Sequence, residues 1–305
     1  MTRGEPITTV GLVHIYRSEG HDVAALSGVD LAVSAGEVVG LLGPSGSGKS
    51  TLLSLVGGLF RPSAGKIFVG DRELSVLTPA ELDEFHARET SLMLQGARRN
   101  LIPYLTAREN VAFAQEAARR YGADVPDVGH VLQTVGITTL ADSPLGHLSQ
   151  GQLQMVALAV SIAPAPGVLL ADEPTSALDH VSRERILDAM LRINHEQGTT
   201  IVVVTHDPEV AAKLPRTVTI RDGKIGGEGR SGEEYAVVTA DGFLPLPAHA
   251  RDDLRPGTLV RLEKNGTEYR LIPQLHAGDT PGGAHEHWVP RHAPREEVLV
   301  EENEW

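Results

Sequence analysis

The sequence predicts an α/β fold: a mostly parallel core sheet, a helical insertion, and a small β-rich lobe near the C-terminal end. Three observations predict it. Residues 38–42, 168–171 and 201–204 are apolar without alternation, the pattern of strands buried on both faces. Between about 96 and 165 no such run occurs, while 107–121 and 151–162 carry helix-forming residues. Beyond 230, the stretches 235–238, 258–262 and 268–272 read as strands, and Asn265-Gly266 between the last two is a hairpin turn signal.

Length and composition agree with this division. A chain of 305 residues accommodates one domain of about 200–230 residues with a smaller appendage. At 41% hydrophobic and 22% charged, it has ample apolar material for a core. The run from Gly226 to Gly232 is glycine-rich, so a linker is expected at 228–232, with the lobe at 233–273. From 274 to 305 the composition turns to Gly, Pro, His and Glu, which predicts a mobile acidic tail. Its histidines, His276, His285, His287 and His292, fit a solvated tail better than a metal site. No stretch approaches the roughly 18 apolar residues of a membrane helix and no apolar signal segment opens the chain, so a cytosolic protein is expected. A net charge of −13 argues against nucleic acid as a partner. With no cysteine, disulfides, thiolate metal sites and cysteine nucleophiles are excluded. No internal repeat is visible.

Gly43-Pro44-Ser45-Gly46-Ser47-Gly48-Lys49-Ser50-Thr51 follows a buried strand and opens onto a helix-forming stretch, the context of a Walker A phosphate loop. Gly43, Gly46 and Gly48 let backbone N–H groups converge on phosphate, and the helix end adds its positive dipole. Lys49 is placed to reach the β- and γ-phosphates, and the Ser50 hydroxyl to reach Mg²⁺. About 120 residues on, Asp172 and Glu173 end the apolar run 168–171, where ligands of open α/β sheets collect. Alone, the two carboxylates would read as a helix cap. Paired with a Walker A loop they read as Walker B, with Asp172 serving Mg²⁺ directly or through its hydration shell and Glu173 facing the attacking water as general base.

Leu148-Ser149-Gln150-Gly151-Gln152 resembles the signature motif of the ATP-binding cassette (ABC) family. Pro174-Thr175-Ser176-Ala177-Leu178-Asp179 resembles its D-loop, His206 matches its switch histidine, and Gln95 its Q-loop glutamine. Singly, Gln95 and His206 are more often ordinary surface residues; order and spacing carry the match. The resemblance covers 6–227 and is close to the subgroup that powers lipoprotein release and macrolide-type export, on Leu52-Leu53-Ser54-Leu55-Val56-Gly57-Gly58-Leu59, Asn100-Leu101-Ile102-Pro103 and Arg108-Glu109-Asn110-Val111.

That resemblance implies a P-loop NTPase cassette with a mostly parallel core sheet, an antiparallel β subdomain and a helical signature subdomain. It implies an ATPase with ATP and Mg²⁺ as cofactors. Glu173, His206 and Gln95 would be catalytic, with Gln95 joining Ser50 and Asp172 as a metal ligand. ATP would be held by Gly43, Ser45, Gly46, Ser47, Gly48, Lys49, Ser50 and Thr51 of one cassette and by Ser149, Gly151, Gln152 and Asp179 at the signature and D-loop, in a head-to-tail homodimer. Tyr16 stands where the family keeps an aromatic stacked on adenine, although core packing explains it equally well. Transmembrane permease subunits would be the partners, placing the chain on the inner face of the cell membrane. A mechanosignalling cassette of the cell-division type, which moves no cargo, is the alternative. A soluble translation-factor cassette usually carries two cassettes on one chain.

Three positions depart from the family pattern. Gln150 replaces the first glycine of the signature, while Met155 and Val160 stand where arginines are usual, leaving nearby carboxylates fewer cationic partners. The lobe at 233–273 is similar to one half of a swapped-hairpin barrel of the transition-state regulator type. Its acidic balance favours a dimerisation or regulatory role over DNA binding.

Overall fold

Strands β1 (Ile7–Ser18) and β2 (His21–Val33) form a long antiparallel hairpin whose apolar residues, Ile7, Leu12, Leu26, Val29, Leu31 and Val33 among them, are buried. Thr9 is buried with them and its hydroxyl is satisfied, donating to Val29 O and accepting from Leu31 N, both at 2.9 Å. The computed structural model describes residues 4–18, 21–230, 233–238, 242, 244, 246, 254, 258–266 and 268–273.

Next come β3 (Val38–Leu42), α1 (Lys49–Val56), β4 (Ala64–Val69), β5 (Arg72–Glu73), α2 (Pro79–Arg88) and β6 (Thr90–Met93). Strands β4 and β5 join the hairpin in a four-stranded antiparallel sheet of order β2-β1-β4-β5. The chain then leaves the sheets for α3 (Ala107–Arg120), α4 (Val128–Val135) and α5 (Gln150–Ile162). Capping boxes start α3 (Thr106 with Glu109) and α5 (Ser149 with Gln152), so four otherwise orphaned donors are satisfied locally.

The chain returns at β7 (Val168–Asp172) and continues through α6 (His180–Gln197), β8 (Thr200–Val204), α7 (Pro208–Ala211), β9 (Arg216–Arg221), β10 (Lys224–Arg230) and β11 (Glu233–Ala236). These complete a seven-stranded sheet of order β11-β10-β9-β3-β8-β7-β6, parallel from β9 to β6 and antiparallel at the β10 and β11 edge. Its central strands lack alternation because both faces are covered. Val39, Leu41, Leu170, Val202 and Val204 pack with α1 and the antiparallel sheet, whereas Val38, Leu169, Ala171, Ile201 and Val203 pack with the helical insertion.

Of the expected linker at 228–232, Glu228 to Arg230 lie inside β10, and 231–232 lie outside the described residues. Hydrogen bonding on both sides compensates for the glycines' lack of packing surface. The main anchor is Arg216, buried at the start of β9. Its guanidinium bonds Glu228 of β10 (2.9 and 3.1 Å), Glu37 ahead of β3 (3.1 and 3.2 Å) and Ala32 O of β2 (2.8 Å). Truncating Arg216 leaves Glu37 without its cation and Glu228 with only the exposed Arg230, so Arg216→Ala is expected to lower unfolding stability by about 3 kcal/mol. Urea denaturation checks this.

The lobe boundary moves as well. Strand β11 pairs with β10, and the chain divides into Met1–Pro245 and Leu246–Trp305. In the second unit, β12 (Val260–Asn265) and β13 (Glu268–Pro273) make an antiparallel hairpin, Leu262 opposite Leu271 and Lys264 opposite Tyr269. Most of the expected half-barrel between β11 and β12, the tail 274–305 and its four histidines lie outside the described residues. No helix among the described residues is long and apolar enough to cross a membrane.

Candidate nucleotide site

Four neighbouring parallel strands, β3, β8, β7 and β6, present their carboxyl ends side by side. Into that row the chain places, in turn, the phosphate loop after β3, His206 after β8, Asp172 and Glu173 at the end of β7, and Gln95 after β6. Ligands of open α/β sheets collect at such ends. A groove of about 560 Å³ lies beside them, lined by Gly43, Pro44, His206, Asp207, Thr219 and Arg221 among others.

The phosphate loop needs its glycines for two separate reasons. Gly43 (φ 142°) and Gly48 (φ 101°) adopt left-handed conformations, and a Cβ would come within 2.1 Å of Ile220 O at the first and 2.4 Å of Ala25 O at the second. Gly46 (φ 79°) faces open space, so its conformation alone demands glycine. Lys49, the first residue of α1, is buried, and its ammonium curls under the loop to donate to Gly43 O (2.9 Å) and Pro44 O (2.8 Å). Ser47 is buried beside it, while Ser45 is exposed on the loop crest.

Ser50 donates its hydroxyl to Asp172 Oδ1 at 3.2 Å, joining the two halves of the site across 122 residues of sequence. Burial pushes the Asp172 carboxyl above its ordinary value; the Ser50 bond opposes this, and the neighbouring Glu173 charge adds to it. Glu173 has φ 50°, and its N–H donates to Val204 O at 3.0 Å. From this anchored backbone its Oε1 meets His206 Nδ1 at 2.7 Å, with Glu173 nearly buried and His206 largely exposed. Tyr16 is half-exposed, so core packing does not account for it. Its hydroxyl pairs with Thr51 Oγ1 at 3.2 Å, and its ring meets His14 and Phe60 edge-on at 4.8 and 6.3 Å.

Gln95 is exposed and follows β6. The backbone on either side is clamped by Asn100, which accepts from Leu94 N (2.8 Å) and donates to Leu94 O (2.9 Å) and Gly96 O (3.2 Å). No periodicity in the sequence marks this clamp, in which a side chain reaches back six residues to Leu94 and four to Gly96.

The signature residues serve their own helix. Ser149 caps α5 with Gln152 as its reciprocal partner, and among the described residues no hydrogen bond joins them to the phosphate loop of the same chain. Gly151 lies against the first turn of α6, where a Cβ would fall 2.3 Å from Ser182 Oγ and 2.8 Å from Ser182 Cβ. That Ser182 is also the partner of the D-loop residue Asp179, which caps α6 by accepting from Ser182 N (3.0 Å) and Ser182 Oγ (2.8 Å); the backbone bond holds its carboxyl below the usual range. Gly151→Ala is expected to cost about 1–3 kcal/mol through overpacking, and adding Ser182→Gly should recover most of it. Thermal unfolding of the two variants tests this. Gln150 is exposed in the first turn of α5, so a side chain is accommodated there, and Met155 and Val160 pack against the helical core.

The chain is similar to several known proteins. The ABC transporter family matches residues 26–176. The lipoprotein-releasing system ATP-binding protein LolD 1 of Caulobacter vibrioides is 36% identical over 220 residues, which is 70% of this chain and 92% of that protein. The macrolide export ATP-binding/permease protein MacB of Rhodopirellula baltica is 38% identical over 228 residues, covering 73% of this chain but only 33% of that longer protein. The methionine import ATP-binding protein MetN of Thermobifida fusca is 39% identical over 227 residues, 74% of this chain and 70% of that one. Among solved structures, a dimeric post-hydrolysis state of the ATP-binding cassette MJ0796 bound to ADP and Pi aligns with a TM-score of 0.66 at 32% identity, over 73% of this chain and 98% of that one. The chain belongs to the ABC transporter family and is one of its ATP-binding, ATP-hydrolysing cassettes.

Proposed function

We propose that the chain powers a separate membrane-spanning permease, of the lipoprotein-release or macrolide-export kind. The similarity to the LolD and MacB ATP-binding proteins is the observation that carries this reading, and the contact of Glu173 with His206, at a phosphate loop whose Ser50 already reaches Asp172, supports the hydrolysis that would drive it. The loop turn that only glycine fits, with Lys49 beneath it, suits a triphosphate. Ser50 and Asp172 are hard oxygen donors that suit Mg²⁺, an ion that takes one or two carboxylates and keeps its remaining sites for water and phosphate; Gln95 would complete the protein's share. When bound, Mg²⁺ neutralises charge on the phosphoryl group being transferred.

In this reading Lys49 exchanges its loop carbonyls for phosphate oxygens, and Tyr16 offers its ring to the base. Glu173 takes the proton of the attacking water, while His206 fixes the orientation of the Glu173 carboxylate through Nδ1. Ser149, Gly151 and Gln152 of a second copy would close the site, with Asp179 at the seam; the dimeric state of the MJ0796 cassette supports this. A permease partner would hold the chain at the inner face of the cell membrane. The LolD and MacB relatives support transport over signalling, and export rests on them and on the motif run after the phosphate loop, since an import relative is equally similar.

The test is to express the tagged full chain in its own cells and extract with mild detergent. Recovery with an integral-membrane protein, and higher ATPase activity in that complex than in the free chain, are expected. Recovery only as a free protein whose turnover no membrane component alters would contradict the proposal.

A further inference from the structure

We propose that Arg183 is a positioning residue for ATP hydrolysis, tying the loop that carries His206 to the first turn of α6, which carries Asp179 and touches the signature helix. The switch loop is short and pinned on both sides of His206. On one side Thr205 is buried, its N–H donating to Leu41 O at 3.1 Å and its hydroxyl accepting from Asp207 N at 3.1 Å. On the other side Asp207 caps α7 through Oδ1, accepting from Glu209 N at 2.9 Å, and turns Oδ2 to Arg183 Nη1 at 2.9 Å. The same Nη1 holds Glu209 at 2.7 Å.

A second tie runs parallel to the first, from Lys213 to Glu184, the residue after Arg183. Of these contacts the one to Asp207 is the most shielded, because Glu209 and His206 are largely exposed and Lys213 nearly half-exposed, while Arg183 and Asp207 are mostly covered. Arg183 Nε is buried with no hydrogen-bond partner among the described residues, so the guanidinium is oriented toward the switch loop at the cost of one of its own donors.

The other end of the tie is equally defined. Arg183 N donates to Asp179 O at 2.9 Å, Asp179 accepts from Ser182, and Ser182 fills the space that Gly151 leaves open. One helical turn therefore touches the signature, the D-loop and the switch loop. A displacement of the first two, such as closure against a second copy, is carried through Arg183 to the Glu173 and His206 pair. This rests on the proposed role of His206 in the reaction.

The test compares wild type, Arg183→Ala, Arg183→Lys, His206→Ala and the Arg183→Ala/His206→Ala double variant, measuring kcat and the Kd for ATP by calorimetry. Arg183→Ala should lower kcat by about fivefold to tenfold with Kd unchanged within about twofold, and Arg183→Lys should recover at least about half of the loss. Because Arg183 acts through His206, its removal from the His206→Ala protein should change kcat by less than about twofold. If Arg183→Ala does not fold, Asp207→Asn, which keeps the α7 cap and weakens the tie, should show the same fall in kcat. Losses that add in full in the double variant, or an unaltered kcat in both Arg183→Ala and Asp207→Asn, would overturn the proposal while leaving the site reading intact. A His206→Ala protein with wild-type turnover would overturn both.

Discussion

Replacing Glu173 by Gln is expected to slow ATP turnover by about 10²- to 10⁴-fold, the usual contribution of a positioned general base, while nucleotide binding persists. The amide matches the carboxylate in shape and keeps an oxygen to accept from His206, and the backbone bond from Glu173 N to Val204 O is untouched. The phosphate loop and its Lys49 are likewise unaffected. Without hydrolysis to reopen it, the ATP-bound dimer should accumulate. Phosphate release and size-exclusion chromatography with ATP and Mg²⁺ read the two effects together. Unchanged turnover accompanied by monomer alone would remove Glu173 from the role of base.

Lys49→Ala should act one step earlier, on binding. The ammonium is buried and held by two loop carbonyls that phosphate oxygens would replace. Truncating one member of a shielded charge pair costs about 2–4 kcal/mol, equivalent to roughly 30- to 700-fold in Kd for ATP. The loop carbonyls also lose their donor, so the turn from Gly43 to Gly48 should loosen. Calorimetric titration with ATP checks this, and a wild-type Kd would mean that Lys49 does not contact phosphate.

The parts of the site legible in the sequence are those built by local geometry. The loop from Gly43 to Thr51 and the pair Asp172-Glu173 each sit at the end of an unbroken apolar strand, where strand, turn and helix start are contiguous in sequence. Gln95 and His206 carry no local signal and only motif order points to them; the sheet order brings them to one edge. What stayed hidden is long-range. Strands β1 and β2 gave no clear period-two pattern because register shifts occur at Thr9/Leu12, Leu12/Val13 and His14/Ile15. The glycines of β10 read as a linker because the compensating partner, Arg216, binds from another strand. Arg183 and Asn100 act by side-chain geometry that spacing does not encode.

The measurement that tests the account most directly is the dependence of specific ATPase activity on protein concentration. In the proposed reading the phosphate loop and Glu173 of one copy are closed by Ser149, Gly151 and Gln152 of another, so a lone chain would hold only half a site. At dilutions where light scattering finds the monomer, activity per chain should rise in proportion to concentration, then level off as ATP-bound dimers form. A specific activity that stays constant down through the monomeric range would contradict the account, because the site would then be complete within one chain.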